Sequence, residues 1–374
     1  MAGAPPFGRR LLAALGGLLL AAAAAAQAPA ARGGDAAVYA SGFGVTLPEA
    51  RRRLALQRPI GELEVKLREV GGAIFAGLWI EHSPRFVVQV RFTDVALGET
   101  LLRRVAAGVD AEFEIGAAAA SLRQLEARQR VALAAARAAG AAADVDLDLR
   151  ASAVLVEASA RARPSAGGPE ELRPVESAAG SPGPLLGGRP LSNCTTAFAA
   201  RSASGEDGVL TAGHCPEFQV YRDYDEQLFF AGGEFGGSRD VAFFARPAAP
   251  EPGSGEGPAP GLFDSGLGLR PLSGTRPRDF QPAGSLVCRF GMTTPHRCGL
   301  IVSKHFCPAY VAGCTPTFLR VRAFDGQPLA TFGDSGGPWF VDGEAHGVHS
   351  GHFESSPEAV YTAIDYAAVF ATVD

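Results

Sequence analysis

Between Pro48 and Arg68 apolar residues recur near helical spacing among charged ones, and Gly71-Gly72 follow. The pattern predicts a helix that stops at the glycines. Two β-rich runs come next, Phe75 to Glu81 and Phe86 to Phe92, joined at Ser83-Pro84 as a hairpin. Leu97 to Ala106 reads as a second helix and Ala111 to Ile115 as a short strand. Ser121 to Ala138 is rich in Ala, Leu, Arg and Gln, all strong helix formers. Val145 to Val156 alternates well enough for a closing strand or hairpin. Residues 39–160 thus predict a small α+β domain. Its one histidine, His82, lies in a strand with no catalytic company and reads as structural.

Residues 161–186 are rich in Pro, Gly, Ser and Ala, a composition that buries no core. We read them as a linker with exposed backbone for processing. A similar stretch, Arg246 to Pro260, reads as a long surface loop within the second half.

At the start, Arg9-Arg10 precede an apolar run from Leu11 to Ala26 and then small residues. That is the layout of a secretory signal peptide over residues 1–30. Sixteen apolar residues fall short of the ~20 that span a bilayer, so no stable membrane anchor is expected. Export places the protein outside the cell or in the periplasm, where cysteines form disulfides. All six cysteines (Cys194, Cys215, Cys288, Cys298, Cys307 and Cys314) lie in the second half.

The chain has 374 residues, room for two domains, and its 47% hydrophobic content excludes a mostly disordered chain. The net charge of −5, with no basic stripe, argues against nucleic-acid binding. Residues 187–374 hold 13 Lys+Arg against 20 Asp+Glu, about −7, which leaves about +2 for the remainder. The two halves therefore read as a basic partner covering an acidic one.

Two local segments carry the chemistry: Thr211-Ala212-Gly213-His214-Cys215 and Gly333-Asp334-Ser335-Gly336-Gly337-Pro338. A serine hydroxyl attacks a carbonyl only with a histidine to take its proton and a carboxylate to fix that histidine's tautomer. Glycines beside the serine let backbone N–H groups face a developing oxyanion. Among the aspartates between His214 and Ser335, Asp240 is best placed, at the start of the apolar run Val241-Ala242-Phe243-Phe244. Gly333 to Gly337 also fits the G-x-S-x-G nucleophile elbow, but that motif needs a helix after the serine. Gly336-Gly337-Pro338 starts a helix badly, and Trp339-Phe340-Val341 before Asp342-Gly343 reads as strand and hairpin turn.

With these residues in view, the sequence resembles the chymotrypsin-like serine proteases, above all the bacterial branch of streptogrisins and alpha-lytic endopeptidase. The matching residues are Thr211–Cys215, Asp240–Phe244, Val287-Cys288-Arg289, Thr293-Thr294, Cys298-Gly299, Gly333–Pro338 and Gly347-Val348-His349-Ser350-Gly351. Phe75 to Glu81 and Val145 to Val156 resemble that branch's pro-domain. The resemblance implies an all-β catalytic domain over 187–374, two antiparallel β-barrels with the site between them, behind a small α+β pro-domain that assists folding and then inhibits. It implies Ser335 as nucleophile, His214 as general base, Asp240 as orienting acid and the N–H groups of Gly333 and Ser335 as oxyanion hole. Ser350 would support the acid at the start of a strand that pairs with substrate, followed by Gly351. Arg289 would pair with Asp334. The resemblance also implies the disulfides Cys194–Cys215 and Cys288–Cys298, which leaves Cys307–Cys314. The expected partners are protein or peptide substrates and the chain's own pro-domain. The expected enzyme is a secreted monomer without cofactor or metal.

Specificity is the open question. An acid at the base of a trypsin-like pocket would fall at Leu329, so cleavage after Lys or Arg is disfavoured. His349 resembles a histidine of glutamyl endopeptidases and could hold a proton beside an acidic side chain. Phe332 and His352 replace small residues usual in such pockets, and the acidic charge of residues 187–374 would repel acidic substrates at long range, so a hydrophobic or aromatic side chain stands equally open. His346, His349 and His352 at spacing three along a strand do not converge on a metal. The alternative class is a catalytically inactive relative that binds peptides.

Overall fold

The computed structural model describes residues 34–157, 162–164, 183–247, 261–354 and 356–373. The proposed signal peptide, most of the linker and most of the 246–260 loop lie outside the described residues.

The N-terminal region comprises α1 (Gly34–Phe43), α2 (Leu47–Val70), β1 (Phe75–Glu81), β2 (Val87–Phe92), α3 (Val95–Val105), β3 (Phe113–Ala117), α4 (Leu122–Ala138), β4 (Asp144–Asp148) and β5 (Ala153–Glu157). Local chemistry sets the helix starts. Asp94 accepts the Leu97 N–H at 3.0 Å, and Ser121 and Gln124 exchange bonds as a capping box, so each helix begins with its first free donors satisfied. The sheet runs β1-β2-β3, antiparallel and then parallel, while β4 and β5 pair as a separate hairpin. Ile60, Leu63 and Leu67 of α2 pack on Phe75, Leu78, Val88 and Val90. Two expectations change here. α1 was not foreseen and begins at Gly34, before the expected boundary at 39. β3 lies two residues later than expected.

Apart from two short 3-10 turns, at Arg278–Phe280 and Ile364–Tyr366, the regular structure in the rest of the described residues is strand. β6 (Ala162–Pro164) precedes β7 (Ala199–Ser202), β8 (Asp207–Thr211), β9 (Phe218–Tyr221), β10 (Glu226–Gly236) and β11 (Arg239–Ala245). Then come β12 (Leu262–Asp264), β13 (Leu269–Pro271), β14 (Gly274–Thr275), β15 (Leu286–Arg289), β16 (Arg297–Phe306), β17 (Phe318–Ala323), β18 (Pro338–Val341), β19 (Glu344–Phe353), β20 (Glu358–Ala363) and β21 (Ala371–Thr372). One sheet is six-stranded, β21-β7-β8-β11-β10-β9. Among the described residues no pairing joins its outer strands, so a second closed barrel is not seen. The other sheet closes: β19 pairs with both β18 and β20 around β18-β15-β16-β17-β20. The three disulfides are Cys194–Cys215, Cys288–Cys298 and Cys307–Cys314.

Part of the expected linker is a strand. The backbone of β6 pairs antiparallel with β19, Pro164 opposite Gly351, Arg163 opposite His352 and Ala162 opposite Phe353. At the linker's far end Leu185 is fully buried beside Cys194, Val209 and Cys215. Core packing thus starts before 187.

The two regions share an interface. Ala36, Tyr39, Ala50 and Leu54 join one apolar cluster with Phe198, Phe263, Phe340 and Val348. Backbone bridges link Trp79 to Ala283 and Val145 to Cys307. His82 is structural, as expected, but across the interface: its Nδ1 meets the Tyr39 hydroxyl at 2.6 Å and its Nε2 the Gly284 carbonyl at 2.7 Å. Burial lowers its pKa to about 4. Three carboxylates of the N-terminal region meet three cations of the other: Asp35 with Arg270 at 2.8 Å, Glu64 with Lys304 at 2.8 Å and Asp146 with Arg320 at 3.0 Å. One pair runs the other way, Arg58 with Glu344. The polarity is therefore mostly the reverse of what the net charges of the halves suggest.

Candidate active site

His214 follows the end of β8, where Cys215 is tied back to Cys194. Its backbone N–H donates to Asp240 Oδ1 at 2.9 Å and its Nδ1 lies 2.7 Å from Asp240 Oδ2. Asp240, the second residue of β11, is fully buried, and its N–H donates to Thr362 Oγ1 at 3.0 Å. A carboxylate only accepts, so Nδ1 carries the proton and Nε2 is left as acceptor. Nε2 lies 2.7 Å from Ser335 Oγ. The hydroxyl proton of Ser335 is thus directed at a base.

The nucleophile turn is built from close backbone contacts. Gly336 has φ +81°, and a Cβ there would strike Thr211 Oγ1 and the Thr195 carbonyl. Gly333 has φ +95°, and a Cβ would meet Thr293 Oγ1 at 2.4 Å. Only glycine combines those dihedrals with such clearance. A strand, β18, follows the serine, so the elbow's helix is absent.

Beneath the turn Asp334 and Arg289 are both fully buried and paired at 3.2 Å. Asp334 Oδ1 accepts the N–H groups of Thr293 and Thr294 at 3.0 and 2.9 Å, and Oδ2 that of Thr331 at 2.9 Å. Arg289 also donates to the Leu329 carbonyl at 2.6 Å. Burial lowers the Arg289 pKa, and the charge of Asp334 works against that.

Ser350 Oγ donates to Asp240 Oδ2 at 2.6 Å. His349, one residue earlier, is fully buried, and its Nδ1 accepts the Trp339 indole N–H at 3.2 Å. Burial pushes its pKa well below the usual histidine value, helped by Arg289, His352 and His214. His352 meets the half-exposed Phe332 edge-on at 5.2 Å between ring centres. His346 turns elsewhere, its Nδ1 3.2 Å from Gln281 Oε1. Among the described residues one group of metal-ligating atoms converges, Asp35, Cys288, His296 and Cys298, but both cysteines are disulfide-bonded.

Residues 260–370 match the family model described as trypsin. Within those residues the chain is similar to trypsin-family serine protease domains. Solved structures similar to this chain include Thermobifida fusca protease A, at 27% identity and a TM-score of 0.39, covering 51% of this chain and 99% of the other. Nocardiopsis protease matches at 24% identity and 0.38, over 50% of this chain and 96% of its own. Cellulomonas bogoriensis chymotrypsin matches at 22% and 0.38, over 51% and 99%. No curated protein matches.

Sequence reasoning missed two residues around the candidate site. Thr362 is a strand residue with no motif about it. Tyr310, whose hydroxyl lies 2.8 Å from Ser350 Oγ, sits in the small loop closed by Cys307–Cys314. Its tyrosine-in-a-disulfide-loop setting was the one available signal.

Proposed function

We propose that the chain is a secreted serine endopeptidase made as a precursor. Ser335 attacks the peptide carbonyl, His214 takes and returns the proton, and Asp240 holds the imidazole through an acyl-enzyme. The N–H groups of Gly333 and Ser335 receive the oxyanion. The observation that carries this reading is the continuous hydrogen-bonded chain Ser335–His214–Asp240. Three disulfides and the apolar run after Arg9-Arg10 support export.

The N-terminal region acts as inhibitor and folding partner. Supporting this, β6 adds to β19 beside Ser350, the way an extended peptide adds to a sheet edge. A substrate strand would need the same edge, so the precursor excludes it. Release follows cleavage between 165 and 186.

For the residue before the cut we favour a hydrophobic or aromatic side chain over an acidic one. His349 is buried, resists protonation and already accepts from Trp339, so it is a poor cation for a carboxylate. Phe332 and His352 add ring surface.

The test is labelling of Ser335 by a fluorophosphonate, with peptides varying only the residue before the cut. Labelling and cleavage favouring Phe or Leu are expected. A folded, processed chain that does not label would instead be a peptide-binding module, and a preference for Glu would restore the acidic reading.

A further inference from the structure

The hydroxyl of Tyr310 lies 2.8 Å from Ser350 Oγ, and Ser350 Oγ lies 2.6 Å from Asp240 Oδ2. Directions follow from chemistry. A carboxylate donates nothing, so Ser350 commits its single proton to Asp240. Its oxygen can then only accept from Tyr310. Burial and the charge of Asp240 hold the Tyr310 pKa well above its usual value, so the phenol keeps its proton. The result is a one-way line of donors, Tyr310 to Ser350 to Asp240, meeting His214 Nδ1–H on the same carboxylate oxygen.

The ring is fixed as well as the hydroxyl. Tyr310 stacks on Phe235 with centres 6.4 Å apart, and Phe235 packs 5.4 Å from the His214 ring. The Cys307–Cys314 bridge closes the loop. The N-terminal region grips it from outside: Ala309 N–H donates to Asp144 Oδ1 at 2.8 Å, and Cys307 and Val145 exchange backbone bonds.

We infer that Tyr310 is a positioning residue for the triad, acting on His214 through Ser350 and Asp240. The inference rests on the protease reading above. By donating to Ser350, Tyr310 makes that hydroxyl a better donor and drains charge from Asp240. It also stops the hydroxyl from rotating away. Without it Asp240 keeps more of its charge and attracts the imidazolium form of His214 more strongly. Two further titratable groups act on this line through their charge, His349 of β19 with His214 and Asp144 of β4 with Tyr310.

Tyr310→Phe keeps the ring stack and removes the donor. In the full chain after self-processing, with active sites counted by fluorophosphonate, kcat should fall about fivefold to thirtyfold with KM nearly unchanged. The acid limb of kcat against pH should move to higher pH, which a loosened fold alone would not produce. With Ser350 already Ala, the same substitution should do little more, because the route is gone. An unchanged kcat and acid limb per active site would overturn the inference, as would an undiminished effect in the Ser350→Ala background. A readout without turnover separates this from the protease reading. In a Ser335→Ala chain, the proton NMR signal of His214 Nδ1–H should shift on Tyr310→Phe, and an unmoved signal overturns the inference whether or not the wild type labels.

Discussion

The two regions keep their buried charges in different ways. In the C-terminal region the Asp334 carboxylate finds Arg289 and three backbone N–H groups within the same region. In the N-terminal region Asp35, Glu64 and Asp146 are equally buried, but their cations belong to the other side. The first arrangement does not depend on the other region, and the second does. Disulfides follow the same division, since the N-terminal region has no cysteine. One region closes its buried charge pair within itself, and the other shares its pairs across the interface.

The sharpest way to break this contrast is Arg289→Ala. It leaves Asp334 buried without its cation, a loss of about 3–5 kcal/mol. We expect little folded, labelling-competent protein, and wild-type yield and activity would refute the internal-pair account. Glu64→Gln should act on the other side of the contrast. Lys304, fully buried and already pushed to lower pKa by burial, loses its counter-charge. Docking of the N-terminal region should weaken by roughly 3 kcal/mol. The turnover of processed enzyme should stay unchanged. A fall in kcat would mean that the pair belongs to the catalytic machinery after all.

Acidity should probe the docked region next. His82 has its pKa lowered to about 4 by burial, so its contribution is complete above about 6.5 and is lost as pH falls toward 4, about 3 kcal/mol in all. His305, lowered well below its usual value by burial, acts in the same direction. Asp146 opposes them. Burial raises its pKa to about 6, so it disfavours the fold above that pH and relaxes as pH drops from 6 to about 4. The two histidines outweigh one carboxyl, and the melting temperature of a Ser335→Ala chain should fall between pH 6.5 and 5. A rise over that range would put Asp146 in control. The smallest effect should come from Glu99→Ala, which removes an exposed helix pair with Arg103 and should cost less than about 0.5 kcal/mol by denaturant titration.

How much of this the sequence discloses depends on whether a feature is local. His214 and Ser335 sit in short motifs, and Asp240 heads an apolar strand, so all three are readable. α4 is readable from propensity and its Ser121–Gln124 cap. α1 is not. Its ten residues are Gly- and Ala-rich, and the face it buries (Asp35, Ala36, Tyr39) answers to residues more than 200 positions away, such as Arg270 and Phe340. β6 is hidden for another reason. Strand addition uses backbone groups, so Ala162-Arg163-Pro164 carries no alternating pattern. Tyr310 and the interface carboxylates are likewise defined by partners distant in the chain. Net charge misled about polarity because most charges of both halves lie away from the shared surface.

Lys304 has a practical consequence. The sequence holds two lysines, and Lys66 is exposed while Lys304 is 2% exposed beneath Glu64. An amine-reactive reagent applied to the full chain should modify Lys66 readily and Lys304 hardly at all. If cleavage releases the covering helix, as proposed above, the second acylation becomes possible, and a mass increment on the peptide around Lys304 would time-stamp that release. The molecule carries its own clock and its own reference mark.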